Sequence, residues 1–159
     1  MSSWEITIKN VPALKVASIW ANGLPFNETV PKAFGELGKW MESKSLPMPK
    51  GSLMGLAIYY GDPKVANPAE VKFKVSIPVS VDAMVESDGK MAVEILPEYR
   101  VAFLTYRGPY TNLEEAYNSL FGWVFSKGHQ PIDAPREVYL NWGVRPEDMI
   151  TEIQVPIGR

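Results

Sequence analysis

The chain has 159 residues, 46% apolar and 21% charged, with a net charge of −2 and a pI of about 5.5. That suffices for one domain with a real core, and the charge is not that of a surface gripping phosphate backbones, so no direct nucleic-acid binding is expected. The absence of cysteine and the single histidine, His129, exclude disulfides, thiolate nucleophiles and multi-histidine metal sites, so no metal or cofactor is expected.

Residues 5–20 read as an extended segment broken at Pro12, and "EITIK" within it alternates with the period of a half-buried strand. A helix over 29–44 is predicted next. Asn27 or Thr29 can cap it, Pro31 suits its first turn, and Phe34, Leu37 and Met41 make its buried stripe. Gly35 and Gly38 each cost about 1 kcal/mol of helix propensity against alanine, which predicts a closely packed neighbour. Strands over 52–60 and 71–79, joined through Gly61-Asp62-Pro63, complete the unit. The polar stretch "DAMVESDGK" reads as a connector.

The same succession then returns. Residues 91–106 are extended and broken at Pro97. A helix over 111–127 opens with the capping box Thr111-x-x-Glu114, and Gly128 stands where a left-handed residue ends it. Its apolar face is Leu113, Ala116, Tyr117, Leu120, Phe121 and Val124. Strands over 136–141 and 149–157 follow. "VPALKVASIWANG" matches "LPEYRVAFLTYRG" at an offset of 85, and "AFGELGKWMESK" matches "AYNSLFGWVFSK" at 83. Tyr59 pairs with Tyr139, and "KVSIPV" with "EIQVPI". Four blocks in one order argue for an internal duplication. The expected fold is α+β, a single domain over 1–159 built as a duplicated β-α-β-β module. Its halves span about 4–81 and 91–158, with pseudo-two-fold symmetry and a central groove where a small molecule would bind.

Carboxylates are poor strand residues, yet Glu137 and Glu152 sit in strand-like runs. Side chains two apart share a face, so Glu137 goes with Tyr139, and Glu152 with Ile150 and Gln154. Ile153 and Val155 suit the helix-covered side, which sends Glu152 the other way, toward the groove or solvent. Either both acids project into one aromatic-lined cleft, or both lie on a wet sheet face paired with lysines. Trp20, Tyr106 and Tyr110 lie at strand ends or just before a helix, and Tyr59, Tyr60, Tyr139 and Trp142 on or beside the third strand of each unit. Rings so placed can stack on a flat ligand or hold a cation. Trp40 and Trp123, at matching helix positions, are assigned to packing.

These residues resemble the GyrI-like small-molecule-binding domain, which is also the effector-binding part of many AraC-type and MerR-type regulators. The resemblance rests on Pro97, Gly108-Pro109-Tyr110, the helix reaching Trp123, Glu137-x-Tyr139-x-Asn141, and Thr151-Glu152-Ile153 with Pro156. It implies an SHS2-like module whose groove takes hydrophobic, often cationic compounds between aromatic walls and a buried acid. Some drug-sensing members carry their acid one position after the tyrosine matched by Tyr139. Leu140 stands there, which shifts weight to Glu137 and Glu152. The implied ligand set is Trp20, Tyr59, Tyr106, Tyr110, Glu137, Tyr139, Trp142 and Glu152. With the first strand starting at about Trp4, a stand-alone, cytoplasmic, non-membrane member without a DNA-binding domain is expected. Its function would be sensing or sequestering a planar, cationic compound. Two alternatives follow from the resemblance. One is a hydrolase of cyclopropane-bearing DNA-alkylating natural products, in which Glu137 with Tyr139 activates water. The other is an inhibitor of DNA gyrase.

Overall fold

The computed structural model describes residues 4–46, 54–61, 67–109 and 113–159. Eight strands and two helices follow one another as β1 (Thr7–Val11), β2 (Leu14–Asn22), α1 (Phe26–Ser43), β3 (Gly55–Tyr59), β4 (Lys72–Pro78), β5 (Met91–Leu96), β6 (Tyr99–Arg107), α2 (Leu113–Ser126), β7 (Arg136–Tyr139) and β8 (Ile150–Gly158). All strands join one antiparallel sheet in the order β1-β6-β8-β7-β3-β4-β2-β5. This order reads the same backwards when β1–β4 are exchanged for β5–β8.

The breaks at Pro12 and Pro97 do more than interrupt a strand. β1 does not pair with β2 but crosses to β6, and β5 crosses to β2, so each leading strand edges the three strands that the other half contributes. Two ion pairs sit at these crossings with opposite polarity. Lys9 on β1 meets Glu152 on β8 at 2.8 Å, and Glu94 on β5 meets Lys74 on β4 at 3.0 Å. Lys9 and Glu94 stand 85 residues apart, the spacing of the repeat, and Lys74 aligns with Glu152 within "KVSIPV" and "EIQVPI". Were each leading strand to pair within its own half, Lys9 would meet Lys74 and Glu94 would meet Glu152. The charges therefore favour the exchanged pairing.

Both helices cover the same sheet face. Ala17, Phe73 and Val75 pack under Leu37, Trp40 and Met41 of α1, while Leu104, Ile153 and Val155 pack under Ala116, Leu120 and Val124 of α2. A smaller cluster of Val16, Leu56, Ile58, Leu96 and Val138 fills the opposite face. Trp40 is in the core as expected. Trp123 is only partly buried and stacks with His129 at 6.4 Å.

Local details correct the sequence reading in several places. α1 starts at Phe26, where the Pro25 carbonyl already accepts from Glu28 and Thr29 N–H groups, so Pro31 lies inside the helix rather than in its first turn. The Phe26 ring anchors that early turn, 4.7 Å from Tyr59 and 5.6 Å from Phe73. Thr29 does not cap, and its hydroxyl donates to the Gly23 and Pro25 carbonyls. No neighbour presses on Gly35 or Gly38, since a Cβ at either would meet nothing within 4 Å. Asn141 lies past the end of β7. Its amide bonds the Asp148 carbonyl and the Ile150 N–H, closing the 140–149 loop. Gly128 is left-handed at φ +78°, and His129 N–H returns to the Val124 carbonyl, ending α2 as anticipated. The Thr111 half of the capping box lies outside the described residues.

Candidate functional site

On β7 the alternation sends Arg136 and Val138 to the face away from the helices and Glu137 and Tyr139 to the helix face. Register fixes this absolutely, because Glu137 stands opposite Ile153 on one side and Ala57 on the other, both under the helices. The central strands β3 and β7 run beneath the space between α1 and α2. Over them opens a cavity of about 1240 Å³. Phe26, Val30 and Phe34 of α1 form one wall, and Leu113, Tyr117 and Phe121 of α2 the other.

Glu137 is the polar centre of this groove and is 6% exposed. Three phenols surround its carboxylate. Tyr117 donates to Oε2 at 2.6 Å, and Tyr139 and Tyr59 donate to Oε1 at 2.8 and 3.3 Å. The Tyr59 and Tyr139 hydroxyls are 3.3 Å apart. Among the described residues no lysine or arginine pairs with Glu137. Burial pushes its carboxyl above the ordinary range, and the hydrogen bonds from Tyr117, Tyr139 and Tyr59 offset only part of that. Burial, reinforced by the charge of Glu137, holds the Tyr117 and Tyr139 phenols protonated well above their usual range. The result is a buried acid solvated by neutral donors in an aromatic slot. A positive centre placed there gains charge attraction and ring contacts together.

The structure brings Tyr59, Glu137, Tyr139 and Trp142 to this groove and places Glu152, Trp20 and Tyr106 away from it. Glu152 is a correction. It stands opposite Val138 and Thr105 on the other sheet face, bound to Lys9 and to the Gln154 amide at 2.6 Å. The two acids therefore share no cleft and no mutual repulsion. Trp20 is also on that far face, opposite Lys74, with Tyr60 5.0 Å away. Tyr106 is a core residue, its hydroxyl donating to the Pro109 carbonyl. Tyr110 lies outside the described residues.

Sequence reasoning missed Tyr117, Phe26, Phe34 and Phe121 as groove residues. A signal was present. α2 carries two apolar stripes, Ala116-Leu120-Val124 and Leu113-Tyr117-Phe121, and one sheet face needs only the first. Phe34 and Tyr117 are equivalent in the repeat, and both face the cavity.

A buried carboxylate in an aromatic slot between two helices, on one antiparallel sheet, is the arrangement of a small-molecule receptor domain. The chain belongs to the GyrI-like small molecule binding domain family, whose pattern matches residues 5–158. It is 25% identical over 136 residues to DNA gyrase inhibitor 1 of Dickeya dadantii (strain 3937), covering 84% of this chain and 86% of that protein. The C-terminal domain of EcmrR superposes with a TM-score of 0.85 at 21% identity, covering 98% of both chains. In the EcmrR–DNA complex the match spans 58% of the EcmrR chain. SAV2435 bound to tetraphenylphosphonium superposes with a TM-score of 0.62 at 12% identity, covering 96% of this chain and 93% of that one. Among the described residues no group of three or more His, Asp or Glu is placed to hold a metal, and no helix is long and apolar enough to cross a membrane.

Proposed function

We propose that the groove binds lipophilic organic cations, with Glu137 as the charge anchor and Tyr59, Tyr117, Phe34, Tyr139 and Trp142 as ring contacts, so that the protein senses or sequesters such compounds. The observation that carries this is the buried Glu137 carboxylate, held by three phenols and balanced by no cation among the described residues. Removing an ion from water is costly, and a cation that itself gains from leaving water offsets the cost. The duplicated SHS2-like module belongs to the same reading. Tyr59 and Tyr139, which pair in the repeat, both reach a single acid whose cross-strand neighbour is Ala57. A pseudo-two-fold axis between Ala57 and Glu137 would place one charge at the centre of a symmetric aromatic frame, which suits a monocation. The SAV2435 complex, in the same fold, supports the ligand class.

Tetraphenylphosphonium and tetraphenylborate share a shape and differ in sign. Isothermal titration should show binding of the phosphonium and none of the borate. Equal affinities would refute the charge anchor. Mass spectrometry after long incubation with a cyclopropane-bearing alkylating compound should recover it intact, and a product with the ring opened by water would instead make Glu137 a general base. A second reading, inhibition of DNA gyrase, is favoured by the name of the Dickeya relative. Loss of supercoiling by purified gyrase at stoichiometric protein would support it, and unaltered supercoiling would dismiss it.

A further inference from the structure

We propose that Trp142, seated with Phe34 on the bare backbone of Gly55, forms the end wall of the groove and sets the length of the lipophilic cation it admits. This rests on the reading of the groove as a cation site.

β3 begins at Gly55, directly across from Tyr139. A Cβ there would lie 2.9 Å from Cε1 of Phe34 and 3.1 Å from both Cη2 and Cζ2 of Trp142. The two rings rest on the glycine itself, and no side chain with a Cβ fits beneath them without displacing one. The need for glycine is one of close approach rather than of backbone freedom.

The wall also touches the anchor. Phe34 lies edge-on to Trp142 at 5.2 Å and to Tyr139 at 5.8 Å, with interplanar angles of 76° and 75°. Tyr139 in turn holds Glu137. The span from carboxylate to wall is thus set by a packed series of rings. Trp142 comes from the 140–149 loop, which the paired Asn141 bonds to Asp148 and Ile150 hold in place. With 39% of its surface exposed, its removal opens this end to solvent. Short-armed cations fit between Glu137 and the wall, and longer arms meet the indole.

Alkyltriphenylphosphonium ions from methyl to decyl, titrated by calorimetry into the full chain, test this. Wild-type affinity should fall at least tenfold beyond a limiting alkyl length. Trp142→Ala should move that limit by two carbons or more and raise the long members at least tenfold relative to the methyl member. Trp142→Phe should keep the limit within one carbon. If the alanine variant lacks a cooperative melting transition, Trp142→Leu takes its place. An unchanged limit, a uniform change across the series, or no limit in wild type overturns the wall. Glu137→Gln separates this failure from the deeper one. A methyl member that binds wild type and Glu137→Gln alike removes the cation reading, and the wall with it. A Glu137-dependent series with an unmoved limit removes the wall alone.

Discussion

Replacing Glu137 by glutamine keeps the shape of the side chain and deletes its charge, so it separates the roles of charge and rings. A carboxylate offers about four acceptor sites, and the phenols of Tyr59, Tyr117 and Tyr139 occupy three directions, leaving room for a cation to approach without displacing a tyrosine. A charge about 4 Å from Glu137 gains about 4 kcal/mol at an effective dielectric near 20. Ligand desolvation reduces this to about 1.5–3 kcal/mol, the range for hydrogen bonds to charged groups, or roughly 10- to 150-fold in Kd. A neutral isostere should lose less than about threefold, because the aromatic walls are untouched. The ligand-free protein should respond in the opposite sense. The native pKa of Glu137 lies above its ordinary value of 4.5. Its contribution to stability is therefore complete below pH 4.5 and is lost as pH rises through the native value. Above that native value the ionised, buried acid weakens the fold, so there Glu137→Gln should melt higher than wild type without ligand and gain less from a cation. Thermal unfolding from pH 4 to 8, with and without tetraphenylphosphonium, measures both effects. Equal losses of cation and isostere, or a lower ligand-free Tm across the whole range, would show that Glu137 is a structural residue.

Tyr117→Phe removes the 2.6 Å donor to Oε2, so the pH midpoint of cation binding should move upward, and a midpoint at or below wild type would contradict the hydrogen-bond assignment. Gly35→Ala should raise stability by about 0.5–1 kcal/mol in urea unfolding with no change in ligand affinity, because its Cβ enters open space in a helix. Lys74→Glu should place two acids together beside β5 and cost about 2–3 kcal/mol, discounted from the buried-pair range because Glu94 keeps 33% of its side-chain surface. Lys74→Glu with Glu94→Lys should recover most of the loss, and additive losses would remove the ion pair from the account of strand exchange.

The amino-acid sequence by itself determined the elements, their order and the parity of each strand. Period-two alternation put Ile153 and Val155 under a helix and Glu152 away from it, and the structure agrees. The aromatic excess and the Glu137-x-Tyr139 pair marked the right strand. Parity within a strand says nothing about which sheet face its odd residues take. That choice depends on register with neighbours 16 and 80 residues away in the chain, because Glu137 is placed by Ile153 and Ala57 rather than by its own surroundings in sequence. Glu137 and Glu152 therefore went together in the sequence reading, into one cleft or onto one wet sheet face, and occupy opposite faces in the fold. The crossing of β1 and β5 was hidden for the same reason, since a broken strand has the same local pattern whether its leading part pairs at home or across. Only packing of both helices on one face brought Tyr117 to the carboxylate, turning what helical spacing marked as an ordinary apolar position into the third donor of the site.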